Sequence, residues 1–135
     1  MSKLDEIKGF IKELSGIDEI NTESDIYSLG ITGDDFHEMI AEYSKNYKVD
    51  MSEYLWYFHA DEEGLSFGKL FFKPPYSRVE RVPVTPKILA EFAETRKWTY
   101  KYTGHELPNK RIDLIINQII VIVFVLIALT VWILY

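Results

Sequence analysis

The sequence contains no cysteine. That absence excludes a disulfide framework, a thiolate-ligated zinc and a cysteine nucleophile. Histidine is scarce, with only His37, His59 and His105, and none stands in HExxH or another metal-ligand spacing. His59 shortly precedes Asp61, Glu62 and Glu63, an acidic stretch that reads as a solvated loop before it reads as a cation site. There is no glycine-rich phosphate loop and no GxSxG elbow. Carboxylates abound, but none lies in an apolar run that would raise the pKa of one partner for acid–base work. The expectation is a protein with no catalytic residue, no metal and no cofactor. Basic residues are also in deficit: 15 Lys and Arg face 21 Asp and Glu, a net charge of −6. Such a surface repels phosphates, so nucleic acid is excluded as a partner. The opening MSKLDEIKGF has no uninterrupted apolar run and does not read as a secretory leader.

Charge is missing altogether from one long segment. Leu114 to Tyr135, LIINQIIVIVFVLIALTVWILY, is 22 residues without a charged side chain. As a helix it reaches about 33 Å, enough for a hydrocarbon core of about 30 Å. A chain of 135 residues could hardly surround such a helix on every face, so a membrane span is expected over residues 112–135. Trp132 and Tyr135 suit the far interface, and Lys110 and Arg111 precede the span. The positive-inside rule then puts the N-terminal domain in the cytoplasm, single-pass. Asp113, Asn117 and Gln118 fall at the near end, where water at headgroup depth satisfies them more readily than a second transmembrane helix.

The remaining charge is unevenly spread. Residues 1–63 hold 16 acids and 5 bases, a balance of −11, whereas residues 64–111 hold 4 acids and 10 bases, a balance of +6. Two faces of opposite sign follow. The basic half adjoins the span and is attracted to an anionic bilayer by about 1 kcal/mol per basic residue near the surface.

Helical spacing is clear in three places. Leu4, Ile7, Ile11 and Leu14 share one face of a helix over residues 3–15, started by Ser2 and Asp5 and stopped by Gly16. Phe36, Ile40, Tyr43 and Tyr47 share a face of a second, from Asp34 to Tyr47, with Met39 beside them. Thr85-Pro86 opens a third, running through Leu89, Phe92 and Ala93 towards Trp98. Ser52 is a candidate cap for a short helix through Phe58. Leu65–Phe72 and Val79–Val84 are candidate strands of a small hairpin around Pro74-Pro75. Residues 101–111 read as a linker. The fold class is therefore mostly α, α+β if the hairpin forms, with a domain over residues 1–100 ahead of one transmembrane helix.

At Leu29-Gly30-Ile31-Thr32-Gly33-Asp34 the sequence resembles the acyl carrier proteins. That family has leucine-glycine, a variable residue, aspartate, serine and leucine, then an acidic helix. Here the aspartate falls on Thr32, the serine on Gly33 and the leucine on Asp34, so the hydroxyl that would carry phosphopantetheine is absent. Ser28 and Thr32 carry hydroxyls nearby, but not at the matching place. Gly30-Ile31-Thr32-Gly33-Asp34-Asp35, followed by the acidic helix and by Val84-Thr85-Pro86 through Trp98, more closely resembles a bacterial family of acyl-carrier-protein-like domains of unknown function, domain of unknown function family 1493. The resemblance covers roughly residues 3–100 and implies a small helical fold with no established activity.

By that resemblance Asp34, Asp35, Glu38 and Glu42 occupy the helix with which carrier proteins dock basic patches on other proteins. The leading expectation is a membrane-anchored, non-catalytic adaptor of the bacterial inner membrane, lacking a prosthetic group. Its partners would be the lipid bilayer and a protein with a basic surface, other membrane proteins included. Two other readings stand beside it: an immunity protein that neutralises a toxin, and a true carrier modified at Ser28 or Thr32.

Overall fold

A computed structural model describes all of residues 1–135. Four α-helices form in order: α1 (Lys3–Ser15), α2 (Gly33–Tyr47), α3 (Pro86–Thr95) and α4 (Ile112–Leu134). Short 3-10 turns fill the connections, at Ile26–Leu29, Trp56–Phe58, Phe67–Leu70 and Pro75–Ser77.

Local chemistry starts and stops these helices. Ser2 and Asp5 form a reciprocal capping box, each side chain accepting the other's backbone N–H at 3.1 Å. At the far end of α1 the Gly16 N–H returns to the Lys12 carbonyl at 2.8 Å. Thr85 caps α3, its hydroxyl accepting the Ile88 N–H at 3.3 Å, and Pro86 loses no hydrogen bond at the first helical position.

The core joins the three predicted apolar faces. Ile7 and Ile11, then Phe36, Ile40 and Tyr43, then Leu89 and Phe92, pack in one cluster closed by Trp98. The Tyr43 hydroxyl donates to the Leu89 carbonyl at 2.6 Å, tying α2 to α3. Phe10 meets Tyr47 edge-on, tying α1 to α2. Leu14, expected inward, is 44% exposed, because it lines an open groove beside Leu29 and Met39 instead of the closed core.

No hairpin forms at residues 65–84, which corrects the expected strands. Phe67–Leu70 and Pro75–Ser77 are 3-10 turns, and the segment from there through Val84 forms no ladder. The Val82 N–H donates to the Phe58 carbonyl at 2.6 Å, while the Val84 carbonyl accepts from Ile26 at 2.8 Å. Two different segments thus take the bonds that a hairpin partner would have taken. The only strand-like pairing is an isolated parallel bridge between Asp50 and Lys97. Ser52 does not cap a helix either; its N–H donates to Asp50 Oδ1 at 2.9 Å, and one short turn follows at Trp56.

A buried polar node holds this strandless half together. His59 is fully buried. Its Nδ1 lies 2.9 Å from the Val82 carbonyl and its Nε2 2.8 Å from the Tyr102 hydroxyl. A carbonyl can only accept, so Nδ1 carries the proton and Nε2 accepts from Tyr102. The Tyr102 oxygen also accepts from Trp98 Nε1 at 2.8 Å and from the Leu55 N–H at 3.3 Å. One donor and two acceptor sites are all filled. Tyr54 stacks flat on the His59 ring, and Trp98 and Tyr100 meet it edge-on. Tyr102 belongs to the expected linker, so that segment is pinned at its start.

Burial pushes the His59 imidazole down to about 4 from an ordinary 6.5, outweighing the hydrogen bond to Val82; the Arg81 charge adds to the depression. The unfolded chain binds this proton first as pH falls, so stability is complete above about pH 6.5 and declines towards pH 4. Between about pH 7 and pH 5 the expected loss is about 2 kcal/mol. Trp98 fluorescence during thermal melts should show it, and His59→Gln should flatten the slope. A pH-independent Tm in the parent chain over that interval would contradict the neutral, buried ring.

α4 is long and apolar enough to cross a membrane, with mean hydropathy 2.9 over its best window and none of that window buried. Its first two turns meet the domain. The Gly68 backbone lies against the backbone of Asp113, where any Cβ would collide with the Asp113 carbonyl. Arg111 reaches Glu62 through two bonds of 3.0 and 2.8 Å and also grips Asp113 at 2.6 Å. The Asn117 amide oxygen accepts the Phe67 N–H at 3.3 Å. Asp113 is thus held by Arg111, and the Asn117 oxygen by the Phe67 turn, rather than by headgroup water as expected; Asp113 is 2% exposed.

Candidate functional site

The corner ahead of α2 is built by side chains that brace the loop. Asp25 accepts the Tyr27 N–H at 3.2 Å and caps the turn at Ile26–Leu29, while the Ser28 hydroxyl donates to the Asp25 carbonyl at 2.6 Å. Arg81 grips the Asp25 carboxylate through two bonds of 2.6 and 3.0 Å. Its guanidinium lies 3.7 Å above the Tyr27 ring, and its Nε donates to the His59 carbonyl at 2.9 Å. The Tyr27 hydroxyl donates to Asp61 Oδ1 at 2.8 Å and accepts N–H groups from Asp61 at 3.2 Å and Gly33 at 3.4 Å. Burial, and next the Asp61 carboxylate, push the Tyr27 phenol above its ordinary value, so it remains a donor.

Gly33 begins α2 with φ of +51° and is buried. A Cβ there would run into the Glu63 carboxylate, which folds across the position. Thr32 precedes it as the cap residue, but its hydroxyl makes no capping bond. Of the two nearby hydroxyls, Ser28 is therefore committed to the loop and Thr32 is uncommitted.

Asp34, Asp35, Glu38 and Glu42 are all exposed, and none is in an ion pair. They do not share one groove. Asp35, Glu38 and Glu42 rim a groove of about 270 Å³ whose floor includes Leu29, Ile31 and Met39, with Leu14 of α1 on the far wall. Asp34 turns instead to a second depression, shared with His37, Trp56 and Glu62. The helical step alone would leave Asp34 beside Glu38, four residues on; the division is made by the tertiary structure, which brings Trp56 and Glu62 to the Asp34 side. The first groove combines carboxylates with an apolar floor, and its one hydroxyl, that of Ser15, accepts the Ile17 N–H at 3.2 Å. It is suited to holding a surface that is both basic and apolar.

The histidines do not assemble. His37 donates from Nε2 to the Asp61 carbonyl at 3.0 Å, His59 is locked in the core, and His105 lies against Tyr57 at 2.7 Å. Glu62 is committed to Arg111. No three histidine or carboxylate groups converge on a point that could hold a metal ion.

A family model described as protein of unknown function (DUF1493) matches residues 4–101. The chain belongs to the DUF1493 family. The match takes in the corner, the acidic groove and Trp98, and stops before Tyr102, the Arg111 clamp and α4. No curated protein and no solved structure matches the chain.

Sequence reasoning missed the Arg81–Asp25–Tyr27 brace and the Glu63 cover. Their partners are separated by 56 and 30 positions, and no local spacing links them. The clustering of tyrosines at 54–57 and 100–102 was the one visible hint of the His59 node.

In this DUF1493 chain, Gly33→Ala should lower stability by about 1–2 kcal/mol, the strain of a side chain in the left-handed region. The expected drop in Tm is several degrees for a domain of this size. Tryptophan fluorescence melts check it, and an unchanged Tm would contradict the positive φ. Gly33→Asn, whose residue type tolerates that conformation, should lose less.

Proposed function

We propose that this chain is a membrane-anchored, non-catalytic binding module: an acyl-carrier-like domain without a prosthetic group that docks a basic partner through α2. The observation that carries this reading is the groove rimmed by Asp35, Glu38 and Glu42, three exposed and unpaired acids above an apolar floor. Unpaired charges of one sign raise the rate of encounter with a basic surface and orient it, while the floor adds affinity once the surfaces meet. The lack of a prosthetic group is supported at position 33, where the side chain is missing, the backbone is left-handed and Glu63 covers the site. The anchor is supported by α4, and the basic residues Arg96, Lys97, Lys101, Lys110 and Arg111 ahead of it favour a cytoplasmic domain on a bacterial inner membrane.

Asp35→Lys, Glu38→Lys and Glu42→Lys together should weaken capture of the partner at least ten-fold, equivalent to about 1.4 kcal/mol. Asp34→Lys alone should do much less, because it faces another depression. The measurement is cross-linking in membranes followed by mass spectrometry, with Tm as a folding control. Equal recovery of the same partner from the triple variant would remove the docking role.

A second reading, a true carrier, rests on Thr32, whose hydroxyl at the loop–helix corner makes no capping bond. Intact-mass measurement after co-expression with a phosphopantetheinyl transferase separates the two. An unmodified mass is expected. A phosphopantetheine adduct that disappears in Thr32→Val would favour the carrier.

A further inference from the structure

The loop that docks on the first two turns of α4 carries apolar side chains that the protein does not bury. Leu65 is 95% exposed, Leu70 78% and Phe71 70%, and Phe67 is more than half exposed. Singly exposed apolar residues need no explanation, but four within seven positions form a patch. Their backbone is not free to turn them inward. Gly68 is pressed against the Asp113 backbone, and Phe67 is tied to Asn117, so the turn is fixed with these side chains outward.

The depth of this patch can be reckoned from α4. A hydrocarbon core of about 30 Å takes about 20 residues at 1.5 Å each. Counted back from Leu134, that length begins near Ile115. The turn touches α4 at Asp113 and Asn117, on either side of this boundary. It therefore lies at headgroup depth, continuous with the membrane-facing surface of the helix. Basic groups border the same place. Lys73, Arg78 and Lys110 line a narrow cleft between the Phe72–Arg78 loop and the start of α4, and none has an ion-pair partner. Arg111 in the same cleft is neutralised by Glu62 and Asp113. Three free cations beside four exposed apolar side chains match a surface of anionic headgroups over acyl chains.

We infer that residues 65–72 form a membrane foot: Leu65, Phe67, Leu70 and Phe71 enter the interface of an anionic bilayer while Lys73, Arg78 and Lys110 hold its phosphates. This inference rests on reading α4 as a membrane span. The foot and the helix give two points of attachment. They fix the tilt of the domain, and with it the height at which the α2 groove stands above the lipid.

The lack of cysteine makes the test direct, since any introduced thiol is unique. Full-length Phe71→Cys, Leu126→Cys and Glu94→Cys are each labelled with an environment-sensitive fluorophore. They are then reconstituted in vesicles of phosphatidylcholine and phosphatidylglycerol. Position 126 should be quenched by lipids spin-labelled deep in the acyl chain. Position 71 should be blue-shifted and quenched by lipids labelled near the headgroup, and position 94 on α3 should be unaffected. Lys73→Glu, Arg78→Glu and Lys110→Glu added to the Phe71→Cys chain should reduce the shallow quenching. A fluorophore at 71 as wet as that at 94, with 126 deep, overturns the foot and leaves the anchor standing. Shielding of 71 without lipid quenching would point to a protein on the patch and also overturns it. A wet fluorophore at 126 overturns the anchor, and the foot with it.

Discussion

The fold depends on one oxygen. The Tyr102 hydroxyl gives its proton to His59 and receives hydrogen bonds from Trp98 and from the backbone at Leu55. Residues 50–84 have no sheet and no long helix to organise them, only 3-10 turns and extended connections. Such a segment cannot satisfy its own backbone, so it borrows partners from side chains and from distant loops. The node supplies them at the centre of an aromatic cluster where water cannot compete. It also joins three stretches far apart in sequence: the turn at Trp56–Phe58, the end of the α3 region at Trp98, and the tail leading to α4.

From that node the bracing runs in two directions. Through the His59 carbonyl it passes to Arg81, then to Asp25 and Tyr27, and so to the N–H of Gly33. The corner ahead of the acidic helix is thus held by the same framework that holds the core. Through Tyr102 the chain continues to Arg111, which clamps Glu62 and Asp113 at the first turn of α4. Acids on both sides of one guanidinium, half-shielded from solvent, make a joint less screened than a surface ion pair. The acidic groove and the apolar helix are therefore two ends of a connected body.

Family membership and the proposed acyl-carrier-like reading rest on different residues. Membership rests on a match across residues 4–101. The carrier-like reading rests on the Leu29–Asp34 motif and on what has happened at position 33. There a carrier presents a hydroxyl, whereas here a left-handed glycine lies beneath a carboxylate. On the proposed reading, a site closed in this way favours recognition over attachment, with the unpaired acids of α2 as the recognising surface.

Local chemistry already determined the four helices, the caps of α1 and the start of α3, and most of the inward faces of α1, α2 and α3, because helical periodicity and capping act within a turn or two. The apolar helix α4 was equally plain, since 22 residues without a charged side chain make a helix long and apolar enough to cross a membrane whatever the rest of the fold does. The aromatic and proline-rich middle was not legible: Leu65–Phe72 has the composition of a strand, yet Gly68 had to meet Asp113, a contact across 45 positions. Tertiary structure alone also decided that Asp113 would be buried by its own domain, that Asp34 would part from the other three acids, and that Glu63 would cover Gly33. Each of these depends on which distant backbone comes within a few ångströms, and sequence spacing carries no information about that.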